Sequence, residues 1–310
     1  MPSAHAAVKH ELLVRYLDAW TPAALHRHKR VTYVEAFADR DDTTNASAVA
    51  ALRVFGEFAD LLERHTLTMV LGGTRSGRLD ALRRRLIEVA TEYESPAGLV
   101  IQAGVGPPVA ALREAHALGS PIFGWFDASD PVPTDILSTV AANKASEVLL
   151  ALPAGSGGPA LGVLRKTGLP LTAQVEIVNA AGLAELLLFA TSSEKALEKF
   201  KDELWALDEY AGIRLRDPVD EEHTLLDISV QPHLGPLRRA LAARVVHTGG
   251  STLAELRVWA VHETVFRAAD ATKAVQTLVT SGAVSRDPVG GRLSPDTLIQ
   301  PTDRVADVDD

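Results

Sequence analysis

Cysteine is absent from this chain of 310 residues. Its absence excludes disulfides, zinc ribbons, iron–sulfur ligation and cysteine nucleophiles together. Long apolar runs are missing too. None approaches the roughly 18 residues of a membrane span, and the opening MPSAHAAVKHELL has no apolar core of a signal peptide. A cytoplasmic location is expected, without membrane attachment. Positive charge is in deficit: the net charge is -9, which argues against broad affinity for nucleic acid or anionic membrane. What is present is 46% hydrophobic residues, enough for a core, so disorder should be confined to the ends. Usage rich in Ala, Arg, Val and Leu and poor in Lys suggests a GC-rich bacterial source. The length suits an α/β domain of about 200 residues with a smaller companion.

Apolar residues recur at helical spacing from Lys9 to Trp20, with Leu12, Leu13, Tyr16, Leu17 and Trp20 on one stripe. Val31 to Phe37 is β-rich. Ser47 to Arg64 reads as helix, Thr66 to Leu71 as a strand closed by Gly72 and Gly73, and Arg78 to Ala90 as helix. Short strands over 99–102, 122–126 and 147–152 alternate with helices over 108–117 and 134–143. Five such alternations predict a doubly wound parallel sheet, which binds ligands at the carboxyl ends of its strands. Pro153 to Pro159 reads as a flexible loop. Leu183 to Thr191 is a buried strand, followed by a helix capped by Ser193 and running to about Tyr210. Leu225 to Val230 is an edge strand.

The remainder changes pattern. Helices over 236–246, 252–258 and 271–281 lead to a glycine-turned hairpin around Asp287 to Gly291, the order of a winged helix-turn-helix. The expected division is an α/β domain over 1–232, a winged-helix domain over 233–301 and an acidic tail over 302–310. The helix placed to read DNA carries only Lys273, with Arg267, Arg286 and Arg292 nearby. DNA readers present more donors on one face, so a protein-docking or dimerisation role is expected, with nucleic acid disfavoured.

KHELLVRYLDAW followed by VTYVEAFAD resembles the opening of the three-Cys-motif partner (TcmP) family, which reads Lys-x-x-x-Leu-x-x-Tyr-Leu and then Tyr-Ile-Asp-x-Phe-Ala-Gly-Pro-Gly. GWFDASDP and LLLFATSSEKALEKFKDELWALDEY are similar to later family segments. The resemblance implies a Rossmann-like class I methyltransferase fold, α/β and doubly wound, with a C-terminal winged helix. It also marks departures. Glu35 stands at the family's acid position, but the glycines of the cofactor loop are replaced by Asp39-Arg40-Asp41-Asp42. The acid expected after the second strand is replaced by Gly72-Gly73-Thr74. The Asp-Pro pair is stretched into Asp127-Ala128-Ser129-Asp130-Pro131. Loss of S-adenosylmethionine binding is therefore expected, giving a chain without cofactor; use of S-adenosylmethionine is the alternative.

Strands one and four are neighbours in such a sheet, so the two acidic loops face each other. Crowded carboxylates raise one another's pKa and suit general-base work. Asp39, Asp41, Asp42, Asp127 and Asp130 are the expected catalytic set; Glu35, Phe37, Arg40, Trp125 and Ser129 are the expected substrate-binding set. No metal is expected, because Asp39-x-Asp41-Asp42 lacks the glycine and distal glutamate of a calcium loop. No Gly-x-Ser-x-Gly elbow exists, and Gly155-Ser156-Gly157-Gly158 lacks the Lys-Ser/Thr of a phosphate cradle. His26 and His28 read as a solvated turn, and His262 with Glu263 as a helix link at the domain junction. The leading expectation is a small-molecule biosynthetic enzyme of methyltransferase-like fold, working by carboxylate-assisted displacement or ring closure with a protein partner or second copy. A non-catalytic scaffold and a genuine methyltransferase are the alternatives.

Overall fold

The computed structural model describes residues 3–39, 47–128, 131–208 and 212–302. Helix α1 (Ala4–Leu25) starts where the Ser3 hydroxyl accepts the amide of Ala6 at 3.1 Å. Then follow β1 (Arg30–Ala36), α2 (Ser47–Gly56), α3 (Ala59–Leu62), β2 (Thr66–Gly73), α4 (Ser76–Glu92), β3 (Leu99–Val105), α5 (Pro108–Glu114), β4 (Ile122–Asp127), α6 (Thr134–Ala141) and β5 (Glu147–Pro153). The α/β part continues with α7 (Gly158–Thr167), β6 (Leu171–Val178), β7 (Ala184–Thr191), α8 (Glu194–Trp205), β8 (Arg214–Arg216) and β9 (Leu225–Asp227). The C-terminal elements are α9 (Gly235–Thr248), β10 (Ser251–Thr252), α10 (Leu253–Glu263), α11 (Ala268–Thr280), β11 (Val284–Asp287) and β12 (Leu298–Pro301).

The large sheet has nine strands in the order β3-β2-β1-β4-β5-β7-β6-β8-β9. The first five pair in parallel, and β7 runs antiparallel between β5 and β6. The mixed α/β architecture expected from the sequence is thus present. Side chains alternate across the sheet with the two-residue period of a strand. Tyr33, Met69, Phe123, Trp125, Leu149 and Phe189 enter one core with α1, α2, α4 and α8. Val34, Val70, Phe126, Leu150 and Leu188 enter a second core with α5, α6 and α7. The second core is aliphatic apart from Phe126, whereas Tyr16, Phe123, Phe189 and Phe200 form an aromatic group in the first.

Three details differ from the sequence reading. The helix expected from Ser47 to Arg64 is two, α2 and α3, parted at Glu57 and Phe58. Strand β6 and helix α7 had no expected counterpart. The run expected to be a flexible loop already becomes helix at Gly158, and a Cβ on Gly157 would lie 2.7 Å from Leu186. Close packing against β7 accounts for Gly157, and the left-handed backbone at φ 75 for Gly155.

The C-terminal elements form three helices against a sheet ordered β10-β12-β11. They share the first core with the α/β part through Leu237, Leu241, Leu256 and Phe266. At the junction the fully buried Lys201 of α8 reaches the end of α10. Its ammonium donates to the carbonyls of Val261 and Thr264, both at 2.5 Å, and of Phe266 at 3.0 Å. Those are carbonyls that a helix end leaves without partners. Burial pushes the Lys201 amine down to about 7, against the pull of Asp217, Asp270 and Glu263. The Trp205 indole donates to Val265 O at 3.0 Å and its ring stacks on Phe266. Among the described residues no helix is long and apolar enough to cross a membrane.

Two outcomes follow. Replacing Lys201 by Met leaves several buried carbonyls without donors and should lower unfolding free energy by about 3 kcal/mol, measured by urea denaturation. Glu147, at the start of β5, accepts from Tyr16 Oη at 2.6 Å. Burial pushes it up from 4.5 to about 7, against the Tyr16 hydrogen bond and Arg27. The folded chain keeps a proton that the unfolded chain releases, so stability falls as pH rises from 4.5 through 7. E147Q should therefore be more stable than the parent at pH above 7, by an amount on the order of 3 kcal/mol, and equal to it in acid. Thermal unfolding across pH measures the difference.

Candidate functional site

The carboxyl ends of β1, β2 and β4 lie side by side. Glu35 stands opposite Leu71 of β2 and Trp125 of β4 in the register. The acidic loops after β1 and β4 therefore leave adjacent strands. Arg40, Asp41, Asp42, Ser129 and Asp130 fall outside the described residues. The other five expected site residues can be placed.

Glu35 shares the strand face of Tyr33 and is 3% exposed. Its carboxylate accepts from Tyr33 Oη at 2.7 Å and from Ser47 Oγ at 2.6 Å. The second bond ties β1 to the first residue of α2. Phe37 turns the chain at φ 69 and rests its ring on the second core. That left-handed backbone is rare outside glycine, asparagine and aspartate.

Asp39 is also 3% exposed. Its Oδ2 accepts from the amides of Thr74 at 3.0 Å and Arg75 at 2.8 Å. These amides immediately precede α4, so the carboxylate meets the partial positive charge at the start of a helix. A Cβ on Gly73 would lie 2.7 Å from Asp39 Cγ and Oδ1. The glycines closing β2 thus make room for an acid delivered from the loop after β1.

Trp125 is 2% exposed and belongs to the first core. Its expected role in substrate binding is corrected by strand parity: it shares the face of Phe123 and lies under the helices. Asp127 has the same parity and meets α1, where Lys9 Nζ lies 2.7 Å from its Oδ2. Lys9 also pairs with Glu185 Oε2 at 2.8 Å, and Glu185 faces Nδ1 of His5 at 3.4 Å. Burial lowers the Lys9 ammonium, but Asp127 and Glu185 outweigh it and hold it above its ordinary value.

The expected crowding of carboxylates against one another is replaced, for Glu35, Asp39 and Asp127, by separate carboxylates that each have donors. Buried polar groups are nearly always paired in this way. Asp39 and Glu35 serve the local fold, and Asp127 enters a cluster with Lys9, Glu185 and His5. The sequence reading passed over those three. Lys9 heads the motif of the family resemblance, and Glu185 is the lone acid of LAELLLFAT, so both left a trace. His5 left none. Among the described residues no group of three or more acids and histidines could hold a metal ion.

No family model and no curated protein matches the chain. Solved structures do match. The METTL16 MTase domain aligns over 57% of this chain and 66% of its own, just under two thirds of its length, at 9% identity and a TM-score of 0.34. The O-methyltransferase TomG from Streptomyces achromogenes, involved in tomaymycin synthesis and solved with SAM, aligns over 60% and 80%, at 12% identity and 0.35. An O-methyltransferase from Bacillus cereus, solved with SAH, aligns over 57% and 80%, at 10% identity and 0.35. Against the expectation of a chain without cofactor, two of these three structures were determined with S-adenosylmethionine or its demethylated product.

Replacing Asp39 by Ala should lower unfolding free energy by about 1–2 kcal/mol through the uncapped amides of Thr74 and Arg75, whereas D39N, which still accepts from them, should change it by less than about 0.5 kcal/mol. Urea denaturation of the two variants tests this contrast.

Proposed function

We propose that this chain is an S-adenosylmethionine-dependent methyltransferase of a small-molecule acceptor. The observation that carries the reading is the strand order 3-2-1-4-5-7-6, with β7 antiparallel. That is the class I methyltransferase order, and its ligand crevice lies at the carboxyl ends of the strands beside β1.

The residues present fit an adenosyl ligand there. In the resembled family an acid after the second strand receives the ribose hydroxyls. Here Asp39 brings a carboxylate to that place from the first loop, and only its Oδ2 accepts from Thr74 and Arg75. Gly104 and Gly106 stand at the end of β3, and a Cβ on Gly106 would meet nothing within 4 Å. Backbone without side chains permits close approach by a flat ring. Asp39 would hold the ribose, and the ends of β2 and β3 would flank the base. When bound, S-adenosylmethionine supplies an activated methyl group. The chain's own task is to orient the acceptor and take up its proton.

We also read the C-terminal elements as a winged helix and the chain as a diverged TcmP member. The order β10-β12-β11 around three helices supports the first reading, and the motif headed by Lys9 supports the second. With few basic residues on α11, the unit suits docking of a protein partner or a second copy better than reading of DNA.

Calorimetry with S-adenosylmethionine tests the cofactor reading. One equivalent should bind with measurable heat. D39N, whose fold is retained, should bind about tenfold more weakly, the effect of replacing a charged hydrogen-bond acceptor by a neutral one. No heat with the parent chain would overturn the proposal.

A further inference from the structure

We propose that His5 is the proton acceptor for a hydroxyl-bearing substrate, a phenol or alcohol, seated at the carboxyl ends of β4 and β5. The inference deepens the methyl-transfer reading and rests on it for the fate of the oxygen once the proton has gone.

His5 lies in the first turn of α1 and is 6% exposed. Strand register places its neighbours: Asp127 ends β4, and Glu185 of β7 pairs with Pro153 at the end of β5. The cluster therefore stands on the ligand-binding edge of the sheet, beside the crevice after β1. His5 Nδ1 faces Glu185 Oε1 at 3.4 Å, while its Nε2 is buried without a hydrogen-bond partner. Leaving such an atom unpaired is unfavourable. The other groups of the cluster are paired, so Nε2 is the place in it where a ligand would add a hydrogen bond.

The chemistry of that ligand follows from the tautomer. A proton on Nδ1, turned toward the Glu185 carboxylate, leaves the lone pair on Nε2. The ligand must therefore donate. An ammonium would meet the Lys9 cation that shares the same carboxylate, whereas a neutral hydroxyl would not. With neutral His5, the group holds one cation, Lys9, and two carboxylates, Asp127 and Glu185. The Glu185 carboxylate lies on the far side of the ring from Nε2. The step is balanced: the O–H bond breaks, the N–H bond forms, and the oxygen keeps its electron pair for displacement at carbon. Glu185 acts as a positioning residue. It orients the ring and holds Lys9 in place.

The probe is 4-nitrophenol, whose anion is yellow, added to the full-length chain at a pH below the phenol's own titration. The parent chain should bind one equivalent and develop phenolate absorbance. H5Q, checked by circular dichroism for retained fold, should bind about tenfold more weakly and develop none. No phenolate with the parent chain, or equal phenolate with H5Q, overturns the inference. Calorimetry with S-adenosylmethionine separates the two readings. Ionisation of the phenol without heat from the cofactor keeps His5 in this role and removes methyl transfer. Heat from the cofactor without ionisation removes His5 alone.

Discussion

One buried ammonium holds the two ends of this molecule together. Lys201 belongs to α8, on the face of the large sheet, yet its donors go to the carbonyls that finish α10 and begin the turn into α11. A helix end is a concentration of unmet acceptors and partial negative charge. Burying one against a lysine turns two unfavourable desolvations into a directional joint. Trp205 Nε1 reinforces it through Val265 O, and Asp217 receives the amide of the same residue at 2.9 Å. The apolar core then continues through the joint from Phe200 to Phe266. The C-terminal unit is positioned by this contact, on the far side of the sheet from α5, α6 and α7.

The same rule, that buried polar groups take partners, shapes the edge formed by the carboxyl ends of β1 and β4. Glu35 is tied to α2, Asp39 to the start of α4 and Asp127 to α1. These acids stand at or just after the ends of two adjacent strands, but their partners lie on or beside three different helices. The edge is therefore a ring of local joints. His5 Nε2, buried and unpaired, stands out against it.

Much of the architecture was legible before any coordinates. Apolar runs bounded by glycine and proline marked β1, β2, β4, β5 and β7, and the spacing of strands announced parallel pairing. What escaped was of two kinds. LTAQVEIV alternates less cleanly than its neighbours because β6 is covered on both sides, so its Glu176 points to Arg216 of β8 in place of solvent. Gly157 reads as slack because a glycine needed for close packing has the same letter as one needed for freedom. At the site, the acids were located correctly along the chain but not their partners. Amides of Thr74 and Arg75 bear no sequence signature, and Lys9 and His5 precede Asp127 by more than a hundred residues. Trp125 shows the opposite error: an aromatic beside a suspected loop was taken for a binding residue, although strand parity already placed it with Phe123.

Gly73 and Asp39 illustrate how such a site constrains descent. The space that a side chain at 73 would fill is the space the Asp39 carboxylate occupies. While Asp39 keeps this place no side chain is admitted at 73, so the glycine of the second strand depends on the acid that follows the first. The carboxylate at this corner is thus supplied by the segment after the first strand, and the second strand contributes only the room for it.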